Sequence, residues 1–247
     1  MSADSRSPHD NLFAEPLSDP GLFTFNESVA TVFPDMINRS VPGYATVIAM
    51  TGVLAAQHAR AGSHIYDLGC SWGASLLSAA REPACDNCEL VGIDNSQAML
   101  DQAQRHLASV PEGGRISLRH ADIVDVELEN ASVVIMNYTL QFIPVVERAN
   151  LLARIRQAMT PGDVLILSEK LVLEDQQLNE YLIRLHHDFK RQQGYSDLEI
   201  AQKRQALEDV LVPETRQAHI TRLHEAGFER SDVWFQCLNF ASMIAMA

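Results

Sequence analysis

A run of small residues after an apolar segment is the first feature that could do chemistry. Residues 65–73 read IYDLGCSWG, a predicted strand followed by a turn of Gly69, Cys70 and Ser71. Small side chains leave the amides of such a turn open to a ligand, and Ser71 takes the place of a middle glycine. An acidic residue precedes the turn, which a nicotinamide-binding loop does not require. The segment predicts a cofactor loop, with a plain strand-to-helix turn as the alternative.

Asp94 is the second candidate. It ends a predicted strand 21 residues beyond Gly73, where a carboxylate can accept both hydroxyls of a ribose. The alternative is that Asp94-Asn95-Ser96 only caps a helix, but Ser96 can be that cap while Asp94 remains free. Together with the turn, this carboxylate predicts a cofactor that carries adenosine, and we expect S-adenosyl-L-methionine.

Two further strand ends add polar groups at the same edge. Asp122 follows the third predicted strand, where its oxygen can meet an adenine amine while Ile123 packs on the ring. Asn137 ends the fourth strand, as a ligand contact or as a structural strand-end amide. Since no proline follows Asn137-Tyr138, the Asn-Pro-Pro-Tyr box of amino-methylating enzymes is missing. This argues against a methyltransferase that acts on nucleic-acid bases.

Arg204 is the most informative single residue. Ile200, Arg204, Leu207 and Leu211 share one predicted helical face, so an arginine interrupts an apolar stripe. A buried guanidinium needs an anion, and its planar fork suits a carboxylate. We therefore expect Arg204 to face the pocket and bind a carboxylate, with an internal salt bridge or a snorkelling side chain as alternatives.

The remaining candidates are weaker. Cys85 and Cys88 have the spacing of half a zinc site, but no second pair or nearby histidine completes it, so we expect no metal. His186 and His187 are adjacent, whereas two ligands on one helix need spacing i, i+4. Residues 168–170 (SEK) end the fifth strand and place a charge either near the pocket or in solvent.

Short apolar runs alternate with helical stretches after Gly62, the pattern of a doubly wound, mostly parallel α/β sheet. Two apolar segments at 229–236 and 238–246 predict a closing antiparallel hairpin. We divide the chain into an N-terminal arm (1–25) and one α/β domain (26–247), with a helical insertion at about 174–212. The predicted strands are 64–68, 89–93, 116–120, 133–137 and 164–169, and the main helices are 45–59, 73–81, 96–108, 145–158 and 214–226.

Composition limits the function classes. The formal net charge is −13, from 19 basic and 32 acidic side chains, and no basic run is present, so direct nucleic-acid binding is disfavoured. No apolar stretch approaches the roughly 20 residues that span a bilayer, and the start MSADSRSPHD lacks signal-peptide features. We expect a cytoplasmic protein without a membrane partner.

Several segments together resemble one enzyme family from about Phe23 to the end. RSVPGY and HHDFK are far more specific than the glycine loop, which all class I methyltransferase-like proteins share. The chain resembles the carboxy-S-adenosyl-L-methionine synthases. The matching segments are FPDMI (33–37), RSVPGY (39–44), YDLGCS (66–71), GIDNS (92–96), LQF (140–142), LSEK (167–170), HHDFK (186–190) and QKR (202–204).

The resemblance implies a class I methyltransferase fold, a homodimer and an unusual reaction. Such enzymes carboxylate the methyl group of S-adenosyl-L-methionine, with prephenate as donor and phenylpyruvate as by-product. The product serves a tRNA carboxymethyl-transferring enzyme that makes 5-carboxymethoxyuridine at the wobble position. Arg204 would hold the new carboxylate, and no general base is assigned. The implied cofactor contacts are Tyr44, Gly69, Cys70, Ser71, Asp94, Asn95, Asp122, Ile123, Asn137 and Arg204; Tyr44 comes from the resemblance alone.

Two other functions remain open at this point. A conventional methyltransferase acting on a small acid would use the same pocket, with Arg204 binding the acceptor, and would release S-adenosylhomocysteine. A non-catalytic scaffold would keep the Asp94 site without turnover, and replacing Arg204 would leave its function intact.

Overall fold

The computed structural model describes residues 8–247, so the first seven residues of the predicted N-terminal arm lie outside the described residues. Helices and strands alternate as the hydrophobic pattern predicts. The strands are β1 (His64–Leu68), β2 (Glu89–Asp94), β3 (Ile116–His120), β4 (Ala131–Asn137), β5 (Val164–Lys170), β6 (Arg230–Cys237) and β7 (Phe240–Met246). The helices are α1 (Glu27–Ser40), α2 (Tyr44–His58), α3 (Ala74–Ala80), α4 (Gln97–Ala108), α5 (Val145–Gln157), α6 (Gln176–Gln192), α7 (Asp197–Leu207) and α8 (Arg216–Glu225).

The strands form one sheet in the order β3-β2-β1-β4-β5-β7-β6. The first five strands are parallel, and β7 runs antiparallel to both β5 and β6. The predicted doubly wound sheet with a closing antiparallel hairpin is confirmed. The strand order reverses between β1 and β4, and ligands of open α/β sheets bind outside the carboxyl ends of the strands at such a point.

Helices cover both faces of the sheet, which explains why its central strands are apolar throughout. The first six residues of β4 and of β5 are buried. One core cluster joins the sheet to α5 and α8, and another joins the opposite face to α2 and α3. Among the described residues, no helix combines the length and apolarity needed to cross a membrane.

The chain before α1 carries no helix or strand in residues 8–26, yet it packs on the inserted helices. Asp10 is 1% exposed and Phe23 is 8% exposed. The amide of Phe23 donates to the carbonyl of Ala206 (2.9 Å), and the amide of Leu17 donates to the side chain of Gln202 (2.6 Å). These contacts attach the segment to α7; the division of the chain at residue 25 stays a prediction.

Candidate functional site

A cavity of about 560 Å³ opens where the strand order reverses. This is the size range of sites for cofactors and drug-sized ligands. It brings together most of the residues that the sequence singles out, although they come from the start of α2 and from the ends of the first four strands and the segments after them. The predicted residues that line it are Tyr44, Gly69, Cys70, Ser71, Asp94, Asn95, Ile123 and Asn137.

The turn after β1 has the backbone that a close ligand approach requires. Gly69 has φ +78° and Ser71 has φ +48°, both in the left-handed region that favours glycine. A Cβ on Gly69 would lie 2.5 Å from side-chain atoms of Thr139, which also lines the cavity. Gly69 is therefore needed for its conformation and for its lack of a side chain.

Asp94 ties this turn to β2. Its Oδ2 accepts from the amide of Ser71 (2.9 Å), and its Oδ1 accepts from the amide of Ser96 (2.9 Å). Burial raises the pKa of Asp94, and these two amides oppose the rise. Ser96 is the helix cap, since its hydroxyl accepts from the amide of Met99 (3.1 Å). The cap is thus Ser96 and not Asp94, as expected, but Asp94 is not free of other contacts, because each of its oxygens accepts from a backbone amide. Each oxygen keeps a lone pair for a ligand hydroxyl.

Asp67 is the acidic residue of the turn motif, and the sequence assigned it no contact. It is 2% exposed, lines the cavity and has no hydrogen-bond partner within residues 8–247. Burial raises its pKa to about 8, and the Asp94 carboxylate adds to the rise. An isolated carboxyl in such a place suits a cationic ligand group. The signal that could have found it is its position directly before the turn.

Asn137 lines the cavity, but its side chain is occupied. Its amide nitrogen donates to the hydroxyls of Ser75 (3.0 Å) and Thr51 (3.2 Å), and its oxygen accepts from Ser168 (2.6 Å). This network favours the strand-end alternative for the amide group. A direct contact between Asn137 and a ligand stays a prediction.

Aromatic rings form one wall of the cavity. Tyr44, at the start of α2, lies 6.2 Å between ring centroids from Tyr138, and Tyr138 lies 6.2 Å from Phe240. Burial raises the pKa of Tyr44, and the Asp67 charge adds to it. Phe25 and Phe142 also line the cavity, whereas Phe240 packs on Tyr138 without lining it. The site therefore combines two carboxylates with large apolar surfaces.

Asp122 and Ile123 differ in their position relative to the cavity. Ile123 is buried and lines the cavity, whereas Asp122 is exposed and its Oδ1 accepts from the amide of Val124 (3.1 Å). Asp122 is not among the lining residues, so its expected adenine contact stays a prediction.

Arg204 lies apart from the cavity. The sequence predicted a buried face of Ile200, Arg204 and Leu207, but α7 packs through residues such as Gln202 and Lys203, and Arg204 is exposed. It lines a separate groove between α6 and α7 and has no hydrogen bond or ion pair within residues 8–247. The prediction that it faces the cavity of its own chain is wrong, because the helix is rotated relative to the predicted stripe.

The surroundings of the other candidates, His186, Cys85 and Cys88, fit a structural role. His186 is buried with its Nε2 2.8 Å from the carbonyl of Ser40, and its ring packs on Phe240. Cys85 and Cys88 are free thiols. Within the described part of the chain, no three histidine, cysteine or acidic side chains come together as a metal site.

The chain is similar to known proteins along most of its length. A family described as "Methyltransferase domain" matches residues 65–162. Proteins named carboxy-S-adenosyl-L-methionine synthase are 46% identical over 98% of this chain and 97% of the relative in Photorhabdus laumondii, and 48% identical over 97% of both chains in Escherichia fergusonii.

Two solved structures share the fold. A putative S-adenosyl-L-methionine-dependent methyltransferase from Methanococcus maripaludis has a TM-score of 0.58 at 16% identity and covers 94% of this chain and 97% of its own. Human N-acetylserotonin methyltransferase in complex with S-adenosylmethionine has a TM-score of 0.60 at 17% identity over 89% of this chain and 55% of its own. The class I methyltransferase fold predicted from the sequence is confirmed.

Proposed function

Because the chain belongs to the carboxy-S-adenosyl-L-methionine synthase family, we propose that it carboxylates the methyl group of S-adenosyl-L-methionine, with prephenate as the carboxyl donor. The observation that carries this proposal is identity of 46–48% over nearly the whole of both chains. The runner-up, a conventional methyltransferase acting on a small acid, would share the fold but not this likeness along the full length.

The cavity suits S-adenosyl-L-methionine. Asp94 would accept from the ribose, Ile123 would pack on adenine, and the turn at Gly69 would let the methionine part approach the backbone. Asp67 would pair with the α-ammonium group. Among the described residues, the lining holds the carboxyl groups of Asp67 and Asp94 and no lysine or arginine, which favours a sulfonium cation.

The proposed chemistry needs no protein base. Aromatisation of prephenate releases carbon dioxide and hydroxide and leaves phenylpyruvate. The hydroxide takes a proton from the sulfonium methyl and becomes water, and the resulting ylide forms a carbon–carbon bond to the carbon dioxide. Capture of the carbon dioxide depends on proximity, since the carbon dioxide and the ylide form side by side in one cavity.

The new carboxylate needs a cation, and the described part of the chain places no lysine or arginine in the lining of the cavity. We propose that the chain forms a homodimer and that Arg204 of each copy meets the carboxylate in the cavity of the other. The support is that Arg204 is exposed and unpaired among the described residues. Two apolar side chains of α6 are also uncovered, since Leu178 is 55% exposed and Tyr181 is 50% exposed, which fits a surface between copies.

The proposal also includes a partner enzyme and a cellular location. A net charge of −13 without a basic run fits an enzyme that hands its product to a separate tRNA carboxymethyl-transferring enzyme rather than binding tRNA. A cytoplasmic location belongs to the same proposal.

The reaction is tested by mass spectrometry of the cofactor after incubation of the purified protein with and without prephenate. We expect a prephenate-dependent species heavier than S-adenosyl-L-methionine by one carbon dioxide, together with phenylpyruvate. Formation of S-adenosylhomocysteine with an acceptor would favour the methyltransferase instead. Unchanged cofactor would leave only binding, as the scaffold alternative requires.

The arrangement of Arg204 is tested by mixing two inactive variants, Arg204→Ala and Asp94→Ala. If Arg204 acts across the dimer, each mixed dimer has one site with both lesions and one intact site. Since random exchange makes half of the dimers mixed, we expect about a quarter of wild-type activity. No recovery, with subunit exchange verified by native mass spectrometry, would mean that Arg204 serves its own chain.

A further inference from the structure

The chain has only three lysines, Lys170, Lys190 and Lys203, among its 19 basic side chains. They come from the end of β5, the last turns of α6 and the middle of α7, yet they meet in one region. Lys190 is 8% exposed and Lys203 is 5% exposed, and Lys170 is largely covered. In a protein of net charge −13, all three lysine side chains are thus buried or partly buried.

Only one of the three has partners. The ammonium of Lys203 donates to Asp10 (3.4 Å) and to the hydroxyl of Ser40 (3.1 Å). Those of Lys170 and Lys190 have neither a hydrogen-bond acceptor nor a carboxylate partner within residues 8–247. Neither nitrogen is among the fully buried polar atoms that lack a partner, so both ammonium groups keep some access from outside. Cations in largely covered surroundings are costly without a counter-charge, so two of them within each other's electrostatic reach indicate a site for an anion.

The charged groups around Lys170 and Lys190 are mostly cations. Burial lowers the pKa of Lys190 to about 7, with the charges of Lys203 and Lys170 adding to the effect and Asp10 opposing it. The pKa of Lys170 is lowered by burial and then by Arg204. These groups raise each other's cost of ionisation, and an anion placed among them would reverse that effect.

The pair lies beside the cofactor cavity. Ser168 pairs in register with Asn137 of β4, and their side chains are hydrogen-bonded at 2.6 Å. Lys170 is two residues further along β5 and extends from the same face of the sheet. Both strands end at the edge where the cavity opens, so Lys170 lies at this edge of the sheet, although it is not among the residues that line the cavity.

An aromatic wall joins the two regions. Phe240 lies opposite Lys170 in the register of β5 and β7, with its ring centroid 6.2 Å from that of Tyr138 in the cavity wall. The ring of His186 lies 4.9 Å from the other side of Phe240, and its neighbour on α6, His187, is within the electrostatic reach of Lys190 and Lys170. Burial lowers the pKa of His186 to about 3, so this ring is uncharged.

We propose that Lys170 and Lys190 are the binding site for a carboxylate of the carboxyl donor, an organic dicarboxylate whose ring lies against the aromatic wall. This inference rests on the proposed function and assigns a substrate subsite to residues outside the cofactor contacts.

The chemistry decides which of the donor's two carboxylates the lysines hold. A cation on the departing carboxylate would stabilise the ground state and slow the loss of carbon dioxide. The lysines therefore bind the carboxylate that remains in the keto-acid by-product. The departing one points into the cavity, whose described lining has no lysine or arginine and holds the sulfonium.

The test compares Lys170→Met and Lys190→Met with Arg216→Met, which removes one charge from an exposed position on α8. Methionine keeps the length of the side chain and loses its charge. We expect each lysine variant to raise the KM for prephenate at least about tenfold, since a charged hydrogen bond is lost, and to leave the Kd of S-adenosyl-L-methionine unchanged. Lys170→Arg should recover part of the affinity.

Thermal unfolding separates binding from a structural role. Removing an unpaired buried charge should leave the Tm of the ligand-free protein unchanged or raise it. A lower Tm with a parallel loss of S-adenosyl-L-methionine binding would assign the lysines a structural role and overturn the proposal. An unchanged KM for prephenate would also overturn it.

Calorimetry of prephenate with the protein saturated by S-adenosylhomocysteine distinguishes this inference from the proposed function. We expect wild type to bind, and the double variant to bind at least about tenfold more weakly. Binding through the lysines without turnover would refute the proposed function alone. Turnover with equal prephenate binding by wild type and variant, or no binding by wild type, would refute the lysine site.

Discussion

Replacing Asp94 with asparagine isolates the carboxylate that joins the cofactor turn to β2. Its two oxygens accept from the amides of Ser71 and Ser96, each at 2.9 Å. An asparagine has one oxygen, so it can accept from only one of these amides, and its nitrogen then faces the other donor. Since Ser71 belongs to the turn under the proposed ligand, the change disturbs the turn as well as the ribose contact.

The size of the effect follows from the two contacts. One hydrogen bond to a charged group is worth about 1.5–3 kcal/mol. At about 1.4 kcal/mol per tenfold change, Asp94→Asn should raise the Kd for S-adenosyl-L-methionine by about 10- to 100-fold. The loss of the ribose contact should move the value toward the upper end.

Isothermal titration calorimetry with S-adenosyl-L-methionine and with S-adenosylhomocysteine measures this change. Asp125→Asn, on the exposed segment after β3, is the matched control and should bind like wild type. The two ligands share the ribose, so both should be weakened equally. A Kd for Asp94→Asn within about twofold of wild type would refute the assignment of Asp94 to the ribose and the turn.

Three further changes have defined outcomes. Gly69→Ala should abolish cofactor binding in calorimetry, because its Cβ would lie 2.5 Å from Thr139, whereas Gly62→Ala, at a similar φ of +76° with open space around it, should only lower the Tm. The pKa of Asp67 is raised to about 8, so the carboxyl is neutral below that pH and ionises above it; the affinity for S-adenosyl-L-methionine should rise through pH 8 relative to Asp67→Asn, and parallel pH profiles would contradict this. Asp10→Ala leaves a buried lysine without its carboxylate and should lower the free energy of unfolding by about 3 kcal/mol in urea titrations; an unchanged midpoint would show that the segment before α1 adds no stability.

Local pattern determined the fold. The strands, the helices between them and the closing hairpin follow from apolar runs and helical periodicity, which depend on neighbours in the chain. The turn at 69–71 and the carboxylate of Asp94 could also be predicted from the sequence, because a parallel sheet brings the ends of β1 and β2 to the same edge. The position of Tyr44 in the cavity wall could not be predicted from the sequence pattern. Helix α2 precedes the sheet, and the sequence does not say which strand the first turn of α2 contacts.

Only the tertiary structure decided which groups face each other. The rotation of α7 puts Arg204 outside the cavity and Lys203 inside the protein, a difference of one residue that periodicity could not resolve because apolar positions on the helix are few. The hydrogen bonds that occupy the side-chain amide of Asn137 and the raised pKa of Asp67 both depend on side chains from distant segments. The meeting of the lysines depends on how α6 and α7 pack against the end of β5. Burial and charge arise between segments far apart in the chain, so they are properties of the packed fold rather than of any one segment of the sequence.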